Sequence, residues 1–130
     1  MAISDKTRAL FDTKALGMLG VVCDDGSTQV TPVWITLDGD TPVFNTVIGR
    51  PKERYMRRDP RVTLTIVDPD DAFSYVELRG KVEFEEGQVA SDTIDALARK
   101  YIAQDQYPWN RPGDVRVNLR LHVERELGMG

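Results

Sequence analysis

Asn45-Thr46-Val47-Ile48-Gly49-Arg50-Pro51-Lys52-Glu53-Arg54-Tyr55-Met56-Arg57-Arg58-Asp59-Pro60-Arg61-Val62 reads as the end of a strand, a break at Gly49 and a short basic helix. Pro51 sits where a first helical turn tolerates it, and Asp59-Pro60 stops the helix because the residue before proline is pushed out of helical geometry. Between positions 50 and 61 there are six cations, Arg50, Lys52, Arg54, Arg57, Arg58 and Arg61, against Glu53 and Asp59. The segment therefore carries +4 in a chain of net charge −4, leaving −8 for the remainder. A positive island on an acidic chain suits capture of a small anion; a long polyanion wants an extended basic surface. Backbone N–H groups at the start of such a helix are expected to point outward and to favour phosphate. Thr46, Arg50 and Lys52 lie at one strand-to-helix junction, where a hydroxyl, a guanidinium and an ammonium can converge on one anion. The competing reading is a solvated basic face, the ordinary fate of Arg and Lys on a short surface helix.

Outward from this stretch the chain is built of short β-like runs. Met18 to Cys23 is apolar, and Asp24-Asp25-Gly26-Ser27 follows as a turn. Residues 29–37 alternate, with Val33, Ile35 and Leu37 on one side and Pro32, Trp34 and Thr36 on the other. Pro32 removes a ladder donor, so this strand is expected at an edge or broken locally. Residues 42–48 form the next strand, with Phe44 opposed in parity to Asn45, and residues 61–68 another. In residues 75–84, Val76, Leu78, Val82 and Phe84 share one face; Gly80 on that face implies a bend or a close neighbour. Residues 115–124 close the set, with Arg116, Asn118, Arg120 and His122 on the polar face, where His122 reads as solvated.

Three helices complete the pattern. Residues 4–16 have Ser4 or Asp5 as cap and Gly17 as stop, and the basic helix is the second. In residues 91–102, Ile94, Leu97, Ala98, Tyr101 and Ile102 follow helical spacing and read as core packing. A loop over residues 104–114 holds Tyr107, Trp109 and Asn110. The expected fold is mostly β: six antiparallel strands closing into a split β-barrel with three flanking helices, one domain over residues 1–130.

Composition narrows the chemistry. No apolar run reaches the roughly 20 residues of a membrane helix, and the first residues lack a signal peptide's apolar core. With the single Cys23, this favours a soluble, cytoplasmic domain that touches no membrane. One His and one Cys leave little for a metal site. No Ser-His-Asp, Cys-His or paired-carboxylate arrangement stands out, so no catalytic side chain is assigned. Nucleic acid is not expected as a partner, because the aromatics do not interleave with the basic run.

Pro32-Val33-Trp34, Phe44-Asn45-Thr46, Gly49-Arg50-Pro51-Lys52 and Arg57-Arg58-Asp59-Pro60-Arg61-Val62, extended by residues 68–76 with Gly80, resemble the pyridoxamine-phosphate-oxidase-like split-barrel superfamily. Within it the chain is most similar to the B-type flavin/deazaflavin oxidoreductases that use coenzyme F-420. The resemblance spans roughly residues 10–124. It implies a homodimer with cofactor sites at the interface, and a reductase passing hydride from reduced deazaflavin to an activated C=C or a quinone-like small molecule. Residue by residue, Thr46, Arg50 and Lys52, with Gly49 at the turn, match the phosphate site. Gln29, Thr31 and Pro32, followed by Trp34, match the strand bordering the ring. Arg57 or Arg58 would face the acidic tail, and Tyr75 or Trp109 would close the site from the partner subunit. Tyr55 stands where an Asn is usual. Two alternatives stay open, an FMN-binding oxidase or flavin reductase and a non-catalytic F-420 carrier.

Overall fold

Among the described residues every strand pairing is antiparallel, and the pairings link seven strands into one sheet. The computed structural model describes residues 1–129. Its strands are β1 (Gly17–Val22), β2 (Thr28–Val33), β3 (Thr36–Asp38), β4 (Thr41–Val47), β5 (Arg61–Asp68), β6 (Asp71–Glu86) and β7 (Arg116–Met129), in the order β2-β1-β5-β6-β7-β4-β3. The helices are α1 (Asp5–Phe11), α2 (Pro51–Arg58) and α3 (Gln88–Ile102).

The sequence predicts six strands, and the difference lies at Trp34–Ile35, which divides the expected 29–37 strand into β2 and β3. These two pieces occupy opposite edges of the sheet. Three Cα steps of about 3.8 Å are all that join Val33 to Thr36, so the edges stand within about 11 Å of each other and the sheet must curl. No ladder joins β2 to β3 or β4, and the curl stays open along a seam. Pro32 is on the edge strand β2, paired with Met18 of β1 on one side only, as its missing N–H requires.

The alternating faces of the strands meet inside the curl. Leu19, Ile35, Phe44, Leu64, Ile66, Leu78, Leu119 and Leu121 are buried there almost completely, with Met56 of α2 among them. Each such side chain contributes roughly 1.5–3 kcal/mol relative to exposure. Gly80 has both features its position implies. A bulge separates Arg79 from Gly80, and a Cβ on Gly80 would lie 2.0 Å from the His122 carbonyl oxygen.

The helices depart from expectation at their ends. α1 stops at Phe11 instead of residue 16, where the Thr13 hydroxyl donates to the Leu10 carbonyl at 2.6 Å and competes with another turn. Ser4 caps its start, accepting the Thr7 N–H at 3.2 Å. α3 begins at Gln88, one turn early, and buries Ala90, Ile94, Leu97 and Ala98. α2 has the expected bounds and ends at Asp59 in an extended conformation. Among the described residues no helix is long and apolar enough to cross a membrane.

Candidate functional site: a cationic cleft in the seam

The seam is a place where strand edges lack partners. β3 pairs with β4 only from Thr41 to Val43. Beyond that, β4 has β7 on one side and no strand on the other. The Ile48 N–H donates to the Val115 carbonyl at 2.9 Å, so alternation along the ladder turns the backbone groups of Asn45 and Val47 away from β7. A cleft of about 190 Å³ opens at this place, bounded on the opposite edge by Pro32, Val33 and Trp34.

One end of the cleft is cationic. Thr46, Arg50 and Lys52 line it together, and none of its lining side chains is a carboxylate. Lys52 Nζ also donates to Thr31 Oγ1 at 3.2 Å. Partial burial, aided by the neighbouring charge of Arg50, holds the Lys52 ammonium below its usual pKa of 10.5.

Three further basic residues of this stretch are ion-paired elsewhere. Arg57 is 3.0 Å from Glu53, Arg58 is 3.0 Å from Asp24 and Arg61 is 2.6 Å from Asp59. Among the described residues Arg50, Lys52 and Arg54 make no ion pair, and of these Arg50 and Lys52 line the cleft. Three of the six cations are thus ion-paired and two line the cleft.

One donor at this junction is already satisfied. Just before the N-cap of α2, the Gly49 N–H donates at 2.8 Å to Glu53, which is only 4% exposed and reaches back to accept it. Its carboxylate satisfies a donor and complements the helix dipole. Thr46, Arg50 and Lys52 present their side chains to the same space. Gly49 supplies the turn, with φ +99°, a conformation that disfavours any side chain.

The other end is aromatic. Trp34 stacks on Tyr101 with ring centroids 5.3 Å apart and planes inclined by 7°. Tyr107 meets Trp34 edge-on at 5.9 Å, and Trp109 meets Tyr107 at 5.6 Å. The Tyr101 hydroxyl donates to the Ala15 carbonyl at 2.7 Å and accepts the Ile35 N–H at 3.2 Å, which fixes the stack to the break between β2 and β3. The loop carrying Tyr107 is pinned by its N–H, which donates to Asp95 Oδ1 at 2.8 Å. Ile94 and Leu97 of α3 add apolar wall.

Between these ends lies a polar floor. Asn45 donates to the Ala90 carbonyl at 3.0 Å and to Asn118 Oδ1 at 2.9 Å. Arg116 donates to Asn110 Oδ1 at 3.0 Å and to Asn45 Oδ1 at 3.4 Å, and its guanidinium lies 4.5 Å from the Tyr107 ring centre.

Of the residues singled out from sequence, Pro32, Trp34, Thr46, Arg50, Lys52 and Trp109 line the cleft, and Thr31 touches it through Lys52. Gln29 lies one pleat beyond Thr31 on β2, outside the lining. Arg57 turns away, 3.8 Å above the Phe84 ring. Tyr75 is paired with Met129 on β6, and its carbonyl accepts from Lys6 at 3.4 Å; within one chain it does not reach the cleft. Tyr55 packs against the hydrophobic core and does not line the cleft. His122 is exposed beside Glu83. Tyr107, Asn45 and Arg116 were not singled out. The aromatic density of the 104–114 loop pointed toward Tyr107, whereas Arg116 enters only through the pairing of β7 with β4.

Comparison with known proteins adds the following. A family profile described as pyridoxamine 5'-phosphate oxidase matches residues 3–127. A solved structure described as an F420 reductase superposes with a TM-score of 0.81 at 26% identity, covering 96% of this chain and 98% of that one. A conserved hypothetical protein of Mycobacterium tuberculosis gives 0.75 at 22% identity, over 98% of this chain and 85% of the other. HupZ of Group A Streptococcus gives 0.72 at 17% identity, over 98% and 94%. These last two likenesses concern the fold. No curated protein matches.

Proposed function

Because this chain belongs to the pyridoxamine 5'-phosphate oxidase family, we propose that its seam holds a phosphate-bearing deazaflavin, coenzyme F-420, and that the protein is an F-420-dependent reductase. The observation that carries this reading is the cleft itself, in which Thr46, Arg50 and Lys52 face the same space as Trp34 and Trp109 with no carboxylate among them. The residues fit such a group. Three donors suit a phosphate, and the flat wall and open backbone of Pro32–Trp34 suit a planar ring. The likeness to an F420 reductase across nearly both whole chains supports the deazaflavin in particular.

When bound, the coenzyme supplies the hydride for an electron-poor C=C or a quinone-like substrate. The chain's own residues bind, orient and cover. Lys52 and Arg50 neutralise phosphate charge, Trp34 limits ring tilt, and Tyr107 and Trp109 keep water from one side of the cleft. No acid–base side chain is required of the protein in this reading.

A homodimer belongs to the proposal. A cleft of about 190 Å³ is smaller than the roughly 300–1,000 Å³ of enclosed ligand sites, which supports a second subunit completing it.

FMN is the second reading, and the ion pairs favour it. With Arg57 held by Glu53 and Arg58 by Asp24, fewer cations greet a long acidic tail than the sequence suggests.

The test is turnover. Purified protein, reduced F-420 and a quinone or unsaturated lactone panel should give protein-dependent reoxidation of F-420 with one substrate reduced per coenzyme. Tight binding without turnover across the panel identifies a carrier and overturns the reductase.

A further inference from the structure

Arg116 is a buried charge on the floor of the cleft. It is only 7% exposed, at the start of β7, directly across from Val47. Its side-chain partners are neutral: Asn110 takes Nε, Asn45 takes Nη1, and the Tyr107 ring covers the guanidinium. No carboxylate pairs with it among the described residues. Its Nη2 is buried without any hydrogen-bond partner, the one such side-chain atom among the described residues. A buried guanidinium lacking a counter-charge and holding an unused donor is costly, and native chains keep such an arrangement where something else supplies the acceptor.

Arg116 lines the cleft, so the missing acceptor has a place from which to come. On the floor of the cleft it has aromatic and apolar company. Tyr107 lies on it, while Trp34, Trp109, Ile94 and Leu97 share the same cleft wall. This is where a flat ring lies in the proposed reading. The two asparagine carbonyls orient the guanidinium and leave its charge uncancelled, which suits an acceptor that is polar and electron-rich but not a strong acid.

We propose that Arg116 is a ligand-binding residue whose Nη2 receives a ring carbonyl oxygen of the bound cofactor, with Tyr107 shifting aside to admit it. This inference rests on the flavin or deazaflavin reading above and assigns the cleft a second recognition point. Phosphate is held at one end by Thr46, Arg50 and Lys52, and the carbonyl edge of the ring by Arg116 on the floor between the ends. A ligand with both features is selected over one that has only either.

The experiment compares wild type, Arg116→Gln and Arg116→Lys in titrations with F-420, FMN, the phosphate-free ribosides of both, and inorganic phosphate. Tryptophan emission follows the cofactors and calorimetry follows phosphate. In Arg116→Gln, affinity for the preferred cofactor and for its riboside should fall by the same factor, about 10- to 100-fold, the loss expected for a charged hydrogen bond. Affinity for inorganic phosphate should not change. Should Arg116→Gln fail to fold, Arg116→Lys carries the test, because one ammonium cannot serve Asn45, Asn110 and a ligand together; it should show the same pattern with a smaller loss. Unchanged cofactor affinity in a folded variant would reduce Arg116 to a prop for the loop and overturn the proposal. An equal loss for inorganic phosphate would move Arg116 to the phosphate cluster and also overturn it. If wild type binds none of the four cofactor ligands, the underlying reading falls and this one with it.

Discussion

Lys52 Nζ donates to Thr31 Oγ1 at 3.2 Å, and that bond crosses the seam of the sheet. Lys52 belongs to the helix that follows β4, while Thr31 belongs to β2 on the far edge. The contact ties the two margins of the cleft at its cationic end. Replacing Lys52 by alanine should weaken cofactor binding by about 1.5–3 kcal/mol, the range for a charged hydrogen bond. Thr31→Val removes only a neutral partner and should cost less, about 0.5–1.5 kcal/mol. Fluorescence titrations measure both; an unchanged Kd in Lys52→Ala removes the phosphate from this end.

The pH response of binding follows from the same ammonium. Burial, then the charge of Arg50, lowers its pKa from 10.5. Anion affinity should be flat through neutral pH and decline as Lys52 loses its proton, at a pH below 10.5. A bound phosphate favours the charged form, so binding at alkaline pH should take up protons. Without ligand the sign reverses. The unfolded chain holds this proton more tightly, so the contribution of Lys52 to stability improves as pH rises through the folded pKa toward 10.5. Calorimetry in two buffers of different ionisation heat should detect uptake in wild type and none in Lys52→Ala.

Gly80 and Gly20 offer a matched pair for stability. A Cβ at Gly80 would fall 2.0 Å from the His122 carbonyl, a backbone atom held by the β6–β7 ladder. Gly80→Ala should therefore cost about 3 kcal/mol or more, the upper end of overpacking. At Gly20 the nearest atom would be the Thr63 carbonyl oxygen at 3.7 Å, an ordinary contact. Gly20→Ala should leave stability unchanged or raise it by up to about 1 kcal/mol. Denaturant unfolding separates the two.

Arg58 distinguishes the cofactors. Its pairing with Asp24 is exposed on both sides, so Arg58→Ala should lower stability by no more than about 1 kcal/mol. FMN binding should not respond. A weaker affinity for F-420, growing as salt is lowered, would mean that the arginine leaves Asp24 for the acidic tail.

Much of this was legible in sequence because it depends on neighbours along the chain. The alternation in residues 61–68 and 75–84 gave β5 and most of β6, and helical spacing gave α3. Pro32 announced an edge, and Thr46, Arg50 and Lys52 sit close enough in sequence to be read as one junction. What escaped depends on contacts between distant segments. Arg58 is neutralised by Asp24, and Arg57 lies on Phe84, neither of which local pattern reveals. Arg116 looked like one more outward charge on an alternating strand. It is buried because α3 and the 104–114 loop cover that face, and the register Val47↔Arg116 brings it beside β4. The division at Trp34–Ile35 was hidden for a similar reason, since unbroken alternation does not show that a strand changes edges.

The central claim is that the seam selects a phosphate-bearing deazaflavin. Its most direct test is a side-by-side titration of the purified protein with coenzyme F-420 and with FMN, followed by fluorescence, repeated for Lys52→Ala. Saturable binding with F-420 the tighter ligand is expected, with a Kd that rises about 10- to 100-fold in the variant. Tighter binding of FMN would contradict the choice of cofactor, and affinity untouched by Lys52→Ala would contradict the site.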